Sequence, residues 1–250
     1  MIEVKNVYKS YDGNFVLNDI SVSFEQGKCN LIIGRSGSGK TVLLKSIVGL
    51  IEIDKGEIWY EKTKFSHAGT TARQEIRKEM GMLFQGGALF DSLTIEQNVM
   101  FPLNMLTSRT KADKLERVNF CLEKVKVSGS NRLYPAELSG GMRKRVAIAR
   151  AIALNPRYLF CDEPNSGLDP ETAIVIDTLI KELTEEFNMT TIVNSHDMNS
   201  VLEIGDKVVF IYQGYKCWEG TRKDIFHTEN EALNNFVFAT KMAREIKRNK

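Results

Sequence analysis

Gly34-Arg35-Ser36-Gly37-Ser38-Gly39-Lys40-Thr41 stands between a short apolar run, Cys29 to Ile33, and a stretch from Thr41 to Leu50 whose apolar residues recur at helical spacing. Val42, Leu43, Leu44, Ile47, Val48 and Leu50 fall on that pattern, with Gly49 near its end. A strand, a glycine-rich loop and a helix in this order make a phosphate loop, in which successive backbone N–H groups and a helix N-terminus surround an anion. Glycine lets the chain curl tightly and approach the anion with no side chain between. The pattern gives Lys40 the β- and γ-phosphates of a nucleotide to neutralise, and the Thr41 hydroxyl an Mg²⁺ to ligate.

Outward from this loop, alternating apolar residues in Ile2 to Tyr8 and Ile20 to Phe24 predict strands, and Gly81 to Phe84, Tyr158 to Cys161, Thr190 to Asn194 and Val208 to Tyr212 predict buried ones. Helical patterns such as Glu171 to Phe187 separate them, which predicts a mainly parallel sheet covered by helices. Between Phe90 and Asn155 strand signals give way to helical ones, Lys111 to Val127 and Gly140 to Ala153. The expected division is an α/β catalytic lobe of residues 1–88 and 156–228, an inserted helical lobe of residues 89–155, and a C-terminal amphipathic helix of residues 229–250. That helix would carry Leu233, Phe236, Val237 and Thr240 on one side and a basic tip of Arg244, Lys247, Arg248 and Lys250.

The chain has 250 residues, 42% of them hydrophobic, enough to bury a core as one large domain or two joined lobes. A formal charge of +2 carries no whole-molecule excess of Lys and Arg that would point to nucleic acid or to a membrane surface. Met1 to Phe24 lacks the uninterrupted apolar core of a signal peptide and reads as mature cytoplasmic sequence. The most hydrophobic stretch, Val42 to Ile51, is too short to cross a bilayer and contains Lys45 and Ser46. Cys29, Cys121, Cys161 and Cys217 have no paired spacing and read as reduced core thiols.

Two further segments carry chemistry. Tyr158-Leu159-Phe160-Cys161-Asp162-Glu163-Pro164 is an apolar strand ending in two carboxylates, at the edge of a parallel sheet that also bears the phosphate loop. Asp162 would hold Mg²⁺, and Glu163 would accept a hydrogen bond from the attacking water and polarise it. In Leu138-Ser139-Gly140-Gly141-Met142 a serine and two glycines open a helix bearing Arg143, Lys144, Arg145 and Arg150, a second anion-binding nose. One chain has little use for two phosphate cradles unless the second serves a neighbour's nucleotide.

Phosphate loop, serine-glycine-glycine segment and Asp-Glu pair, in this order, resemble the ABC ATPase family over nearly the whole chain. The resemblance implies a P-loop NTPase (RecA-like) fold of class α/β, with an N-terminal antiparallel β part and an inserted helical subdomain, that binds ATP and Mg²⁺ and hydrolyses the ATP. It assigns Gln85 to Mg²⁺ and the attacking water, and His196 to the γ-phosphate. It stacks Tyr11 on adenine and makes Ser166-Gly167-Leu168-Asp169 the loop through which two subunits communicate. It further implies a head-to-tail homodimer with ATP between one phosphate loop and the other subunit's Ser139, Gly140 and Gly141.

Phe84-Gln85-Gly86-Gly87-Ala88-Leu89-Phe90-Asp91-Ser92-Leu93-Thr94, Asn98-Val99 and Phe101-Pro102-Leu103 are similar to the ATPases of phospholipid transporters of the Mla type, which work with mammalian-cell-entry (MCE) proteins. Met142, where the common motif has Gln, and the Arg-Lys-Arg run after it belong to the same likeness. Gln97 in place of an acidic residue, and Asn165-Ser166, depart from it. The likeness implies a membrane permease, an MCE-type lipid-binding protein, a small regulatory subunit, and a place on the cytoplasmic face of the bacterial inner membrane, with no nucleic acid. Two readings stand beside it: the ATPase of another ABC importer or exporter, and a soluble ABC-type ATPase acting on ribosomes or DNA. The latter proteins usually carry paired ATPase units, coiled-coil insertions or basic arms, features missing from this sequence. A pure binding module would be expected to lack Lys40 or Glu163.

Overall fold

Alternate residues along β3 (Lys28–Ile33) point to opposite faces of the sheet, and each face buries apolar side chains. Leu31 and Ile33 enter one core, Ile32 the other. The same alternation runs through β7 (Tyr158–Asp162), β8 (Thr190–Ser195) and β9 (Lys207–Tyr212), as two-faced burial of a parallel sheet requires. In the computed structural model, which describes residues 1–238, these strands pair in parallel with each other and with β6 (Met80–Leu83). An antiparallel edge strand, β10 (Tyr215–Gly220), completes a six-stranded sheet of order β10-β9-β3-β8-β7-β6.

A second, antiparallel sheet joins β1 (Ile2–Tyr11), β2 (Asn14–Phe24), β4 (Lys55–Tyr60) and β5 (Thr63–Lys64) in the order β2-β1-β4-β5. Its apolar side packs with α1 (Lys40–Val48) on one face of the central sheet. The other face is covered by α3 (Ile95–Leu106), α4 (Lys111–Lys124), α5 (Gly140–Ile152), α6 (Pro170–Glu186), α7 (Met198–Ile204) and α8 (Glu231–Val237). Val99, Leu103, Val118, Leu122, Val146 and Ile148 of α3 to α5 belong to the same continuous core as Leu31 and Val193 of the sheet. The helices between β6 and β7 therefore share the core of the sheet.

The structure extends the predicted strands at Ile2 and Ile20 to a full hairpin, and adds β4, β5, β10 and α2 (Thr70–Lys78). α2 buries none of its residues, so its sequence has no apolar stripe to announce it. Gln97 completes a capping box: Thr94 N donates to Gln97 Oε1 at 2.9 Å while Gln97 N donates to Thr94 Oγ1 at 3.3 Å, a role glutamine fills as well as glutamate. Cys29, Cys121 and Cys161 are buried free thiols, but Cys217 corrects the reading of all four as core residues: it lies on edge strand β10 and is half-buried. Of the C-terminal helix, Leu233 is fully buried and Phe236 rests on Phe210 with ring centroids 5.5 Å apart; Thr240 and the basic tip lie outside the described residues.

β6 meets α5 closely at Gly81, where a Cβ would stand 2.3 Å from the Ala151 carbonyl oxygen. Gly81→Ala is expected to overpack this contact and destabilise the protein by about 1–3 kcal/mol, read as a lower urea midpoint at unchanged slope.

Candidate active site

The phosphate loop is fixed by its neighbours before any ligand is considered. A Cβ on Gly34 would lie 2.3 Å from the Ile211 carbonyl oxygen, and one on Gly39, which has φ +106°, would lie 2.6 Å from that of Val16. Only glycine fits at either place. Gly214, in the turn between β9 and β10, donates its N–H to Ser38 O at 3.2 Å and accepts from Asn18 N at 2.8 Å, which ties the loop to both sheets. Lys40 opens α1 and folds back, its Nζ donating to Gly34 O at 2.9 Å and Arg35 O at 3.1 Å. It is 5% exposed and has no carboxylate within ion-pair distance among the described residues. Burial pushes its ammonium below the usual lysine range, opposed by Glu163 and Asp162.

These features fit a phosphate group. A buried ammonium held only by carbonyls lacks an anion, and the buried Ser38 Oγ has no partner. Arg35, Ser36 and Gly37 line the exposed rim of the loop, and the space above Gly37 is open.

The carboxylates at the end of β7 take different environments. Asp162, 6% exposed, accepts through Oδ1 from Asn194 Nδ2 at 3.0 Å and from Thr41 Oγ1 at 3.3 Å, so the strand end and the phosphate loop share one carboxylate. That pairing of hydroxyl and carboxylate suits a hard cation such as Mg²⁺. Glu163 turns away, its backbone in the left-handed region at φ +47°. Its Oε2 accepts from Gln85 Nε2 at 3.0 Å, and its Oε1 faces His196 Nδ1 at 3.2 Å. Gln85 Nε2 also reaches Ser166 Oγ at 3.3 Å. The structure thus brings Gln85, Glu163, His196 and Ser166 into one polar cluster beside Lys40, Thr41 and Asp162.

Other predicted residues lie apart from that cluster. Ser139 caps α5, its Oγ accepting from Met142 N at 3.2 Å. Gly140 and Gly141 face α6 and the loop before it, where a Cβ on Gly141 would stand 2.6 Å from Thr172 Cγ2. No hydrogen bond among the described residues joins Ser139, Gly140 or Gly141 to the phosphate loop of the same chain. Asp169 is engaged as the cap of α6, accepting from Thr172 N at 2.9 Å and Thr172 Oγ1 at 2.6 Å, and the Thr172 bonds hold its carboxyl below the usual range. Tyr11, 45% exposed at the end of β1, has Lys9 Nζ 5.3 Å from its ring centroid.

A family model described as ABC transporter matches residues 17–166, the stretch that carries the phosphate loop, the cap serine with its two glycines and the Asp-Glu pair. The chain belongs to the ABC transporter family. It is an ABC ATPase. It is 38% identical over 237 residues to the intermembrane phospholipid transport ATP-binding protein MlaF of Haemophilus influenzae, covering 95% of this chain and 90% of that one. It is 37% identical over 237 residues to the methionine import ATP-binding protein MetN of Clostridioides difficile, covering 95% and 74%. The probable ribonucleotide transport ATP-binding protein mkl of Mycobacterium leprae matches at 32% over 94% of this chain, which spans 68% of that longer protein. A dimeric structure of the ABC cassette MJ0796 in a post-hydrolysis state bound to ADP and Pi superposes with a TM-score of 0.80 at 30% identity, covering 89% and 99%.

Sequence reasoning about this ABC ATPase left out Asn194, read only as the end of a strand, and Asp177, one polar residue on the buried face of α6. Asn165 Nδ2 donates to Ser200 Oγ at 3.1 Å, and the buried Asp177 carboxyl, whose Oδ1 has no partner, lies beside both residues, so α6, α7 and the loop after Glu163 meet there. Burial raises the Asp177 carboxyl to about 6. Because the folded state favours the neutral acid, a penalty small below pH 4 grows as pH rises to 6 and stays above it. Asp177→Asn is expected to remove that pH dependence and to gain on the order of 2 kcal/mol over the wild type at pH 7.5 relative to pH 4.5, measured by urea unfolding at both pH values.

Proposed function

We propose that this ABC ATPase energises phospholipid transport together with a membrane permease and an MCE-type protein. The observation that carries the catalytic part is the cluster in which Gln85 and His196 hold the two oxygens of Glu163. Lys40, stripped of water and short of an anion, binds the phosphates, with the backbone of Arg35, Ser36, Gly37, Ser38 and Gly39 around them. Glu163 accepts from the attacking water; Gln85 and His196 fix its direction, and His196 also reaches the γ-phosphate. Mg²⁺, held by Thr41, Asp162 and Gln85, would neutralise charge developing on the phosphates. Tyr11 offers an exposed ring to adenine.

Ser139, Gly140, Gly141 and Asp169 act across a head-to-tail homodimer, on the nucleotide held by the other subunit. Their separation from their own phosphate loop supports this reading, as does the dimeric MJ0796 cassette. Residues 1–88 and 156–228 form the catalytic lobe and residues 89–155 the helical lobe, with 229–250 read as a C-terminal amphipathic helix. A cavity of about 430 Å³ between the lobes, with Phe84, Phe90, Phe101 and Leu106 exposed around it, suits an apolar segment of the permease. Likeness to MlaF supports a subunit that works from the cytoplasmic face of the bacterial inner membrane through its permease, with a small regulatory subunit as a further partner; no helix among the described residues is long and apolar enough to cross a membrane.

Phospholipid is favoured because likeness to MlaF covers nine tenths of that protein. Likeness to MetN at 37% identity keeps the importer of a small solute as the second reading. Affinity purification from detergent-solubilised membranes separates them: an MCE-type protein and co-extracted phospholipid support the first, while a permease without either sinks it. For the catalytic assignment, Glu163→Gln is expected to lower ATP turnover by about a hundredfold or more and to trap an ATP-bound dimer on size exclusion. Wild-type turnover in this variant would remove Glu163 from its role.

A further inference from the structure

Three carbonyls of the turn after β6 are held by two cations of α5. Lys144 Nζ donates to Gln85 O, and Arg150 donates from Nη2 to Gly87 O and from Nη1 to Ala88 O, both at 2.8 Å. Lys144 and Arg150 are six residues apart, about 9 Å along the helix, so the turn is held at two separated points and cannot pivot on either. Gly87 N donates to Phe84 O at 2.8 Å, which closes the turn on itself and makes it a rigid body. The Gln85 side chain reaches from this body to Glu163 and Ser166.

Lys144 is an expensive way to make one such bond. It is 6% exposed, and no carboxylate lies within ion-pair distance of it among the described residues. A neutral amide could donate to a carbonyl without removing a charge from water. Burial pushes the ammonium down, while Cys161 and Glu163 favour its charge, so the cation sits within the field of the proposed base.

We propose that Lys144 and Arg150 clamp Gln85–Ala88 to α5, so that any displacement of the Ser139–Gly141 end of the helix on another subunit's nucleotide is delivered to Gln85 beside this subunit's own Glu163. Lys144 is thereby a positioning residue for hydrolysis. The assignment rests on the reading of Gln85 as a group that directs the attacking water. It gives the basic run of α5 a task the loop sequence does not reveal: the nose of the helix senses one ATP site, Lys144 and Arg150 in its second and third turns grip the machinery of the other, and Arg150, whose guanidinium lies 5.7 Å from the Phe90 ring centroid, reaches the cavity proposed for the permease.

The test is a double-mutant cycle on the full chain with Mg-ATP. Lys144→Met keeps the stem and removes the donor; it is expected to lower kcat at least tenfold with KM for ATP within twofold of the wild type. Lys144→Gln, which can still donate, is expected to return kcat to within threefold. In Lys144→Met/Gln85→Ala, turnover is expected to fall no further than in Gln85→Ala alone, because both changes remove the same alignment. A loss that multiplies in the double variant, a KM that rises with the fall in kcat, or a Lys144→Gln no better than Lys144→Met overturns the clamp while leaving Gln85 its role. Wild-type turnover in Gln85→Ala overturns the reading of Gln85 and the clamp with it. If Lys144→Met fails to fold, Arg150→Met carries the same cycle with Gln85→Ala, and multiplicative losses there overturn the proposal.

Discussion

A parallel sheet buried on both faces has no surface for polar chemistry except its ends. In this protein that constraint sends the polar groups to the carboxyl edges of β3, β6, β7 and β8, where the phosphate loop, Gln85, the Asp162–Glu163 pair and His196 follow one strand each. Pairing of β3 with β8 and of β8 with β7 sets the spacing between these loops, so residues more than a hundred positions apart in the chain come within hydrogen-bond distance. Asp162 shows the economy of the arrangement, since one carboxylate oxygen joins the loop after β3 to the end of β8 through Thr41 and Asn194.

Much of this could be read in the sequence because the residues concerned have few substitutes. The glycines of the phosphate loop and the Asp-Glu pair at a strand end announce their roles locally, and two-faced strands show as unbroken apolar runs. What escaped notice depends on contacts distant in sequence. α2 turns a single large apolar residue, half-buried Ile76, toward the core, β4 and β10 alternate weakly, and Lys144 is one of several basic residues on a helix until the turn after β6 is laid against it. Asp177 is similar: nothing on α6 distinguishes a buried aspartate from an exposed one before α7 and Asn165 close over it. Cys217 shows the opposite error, because apolar neighbours suggested burial and the strand is an edge.

The helices between β6 and β7 share their core with the sheet, so they are attached in two distinct ways. Apolar contacts such as those of Val99, Val146 and Ile148 hold them close without fixing an angle. The polar bonds of Lys144 and Arg150 to the turn after β6, and of Arg117 to the carbonyls of Ile152 and Ala153 at the end of α5, fix direction. Motion between the helices and the sheet can therefore be large where the contact is apolar, while the segments bonded to α5 travel with it.

Burial withdraws three of the four thiols from reaction. The Cys29 thiol is pushed up to about 12 and that of Cys121 to about 11, and burial also raises that of Cys161, next to Asp162. Alkylating reagents are thus turned away from β7 by the same packing that shapes it, and half-buried Cys217 on the edge strand is left as the most accessible of the four thiols, the one to which a probe could be attached.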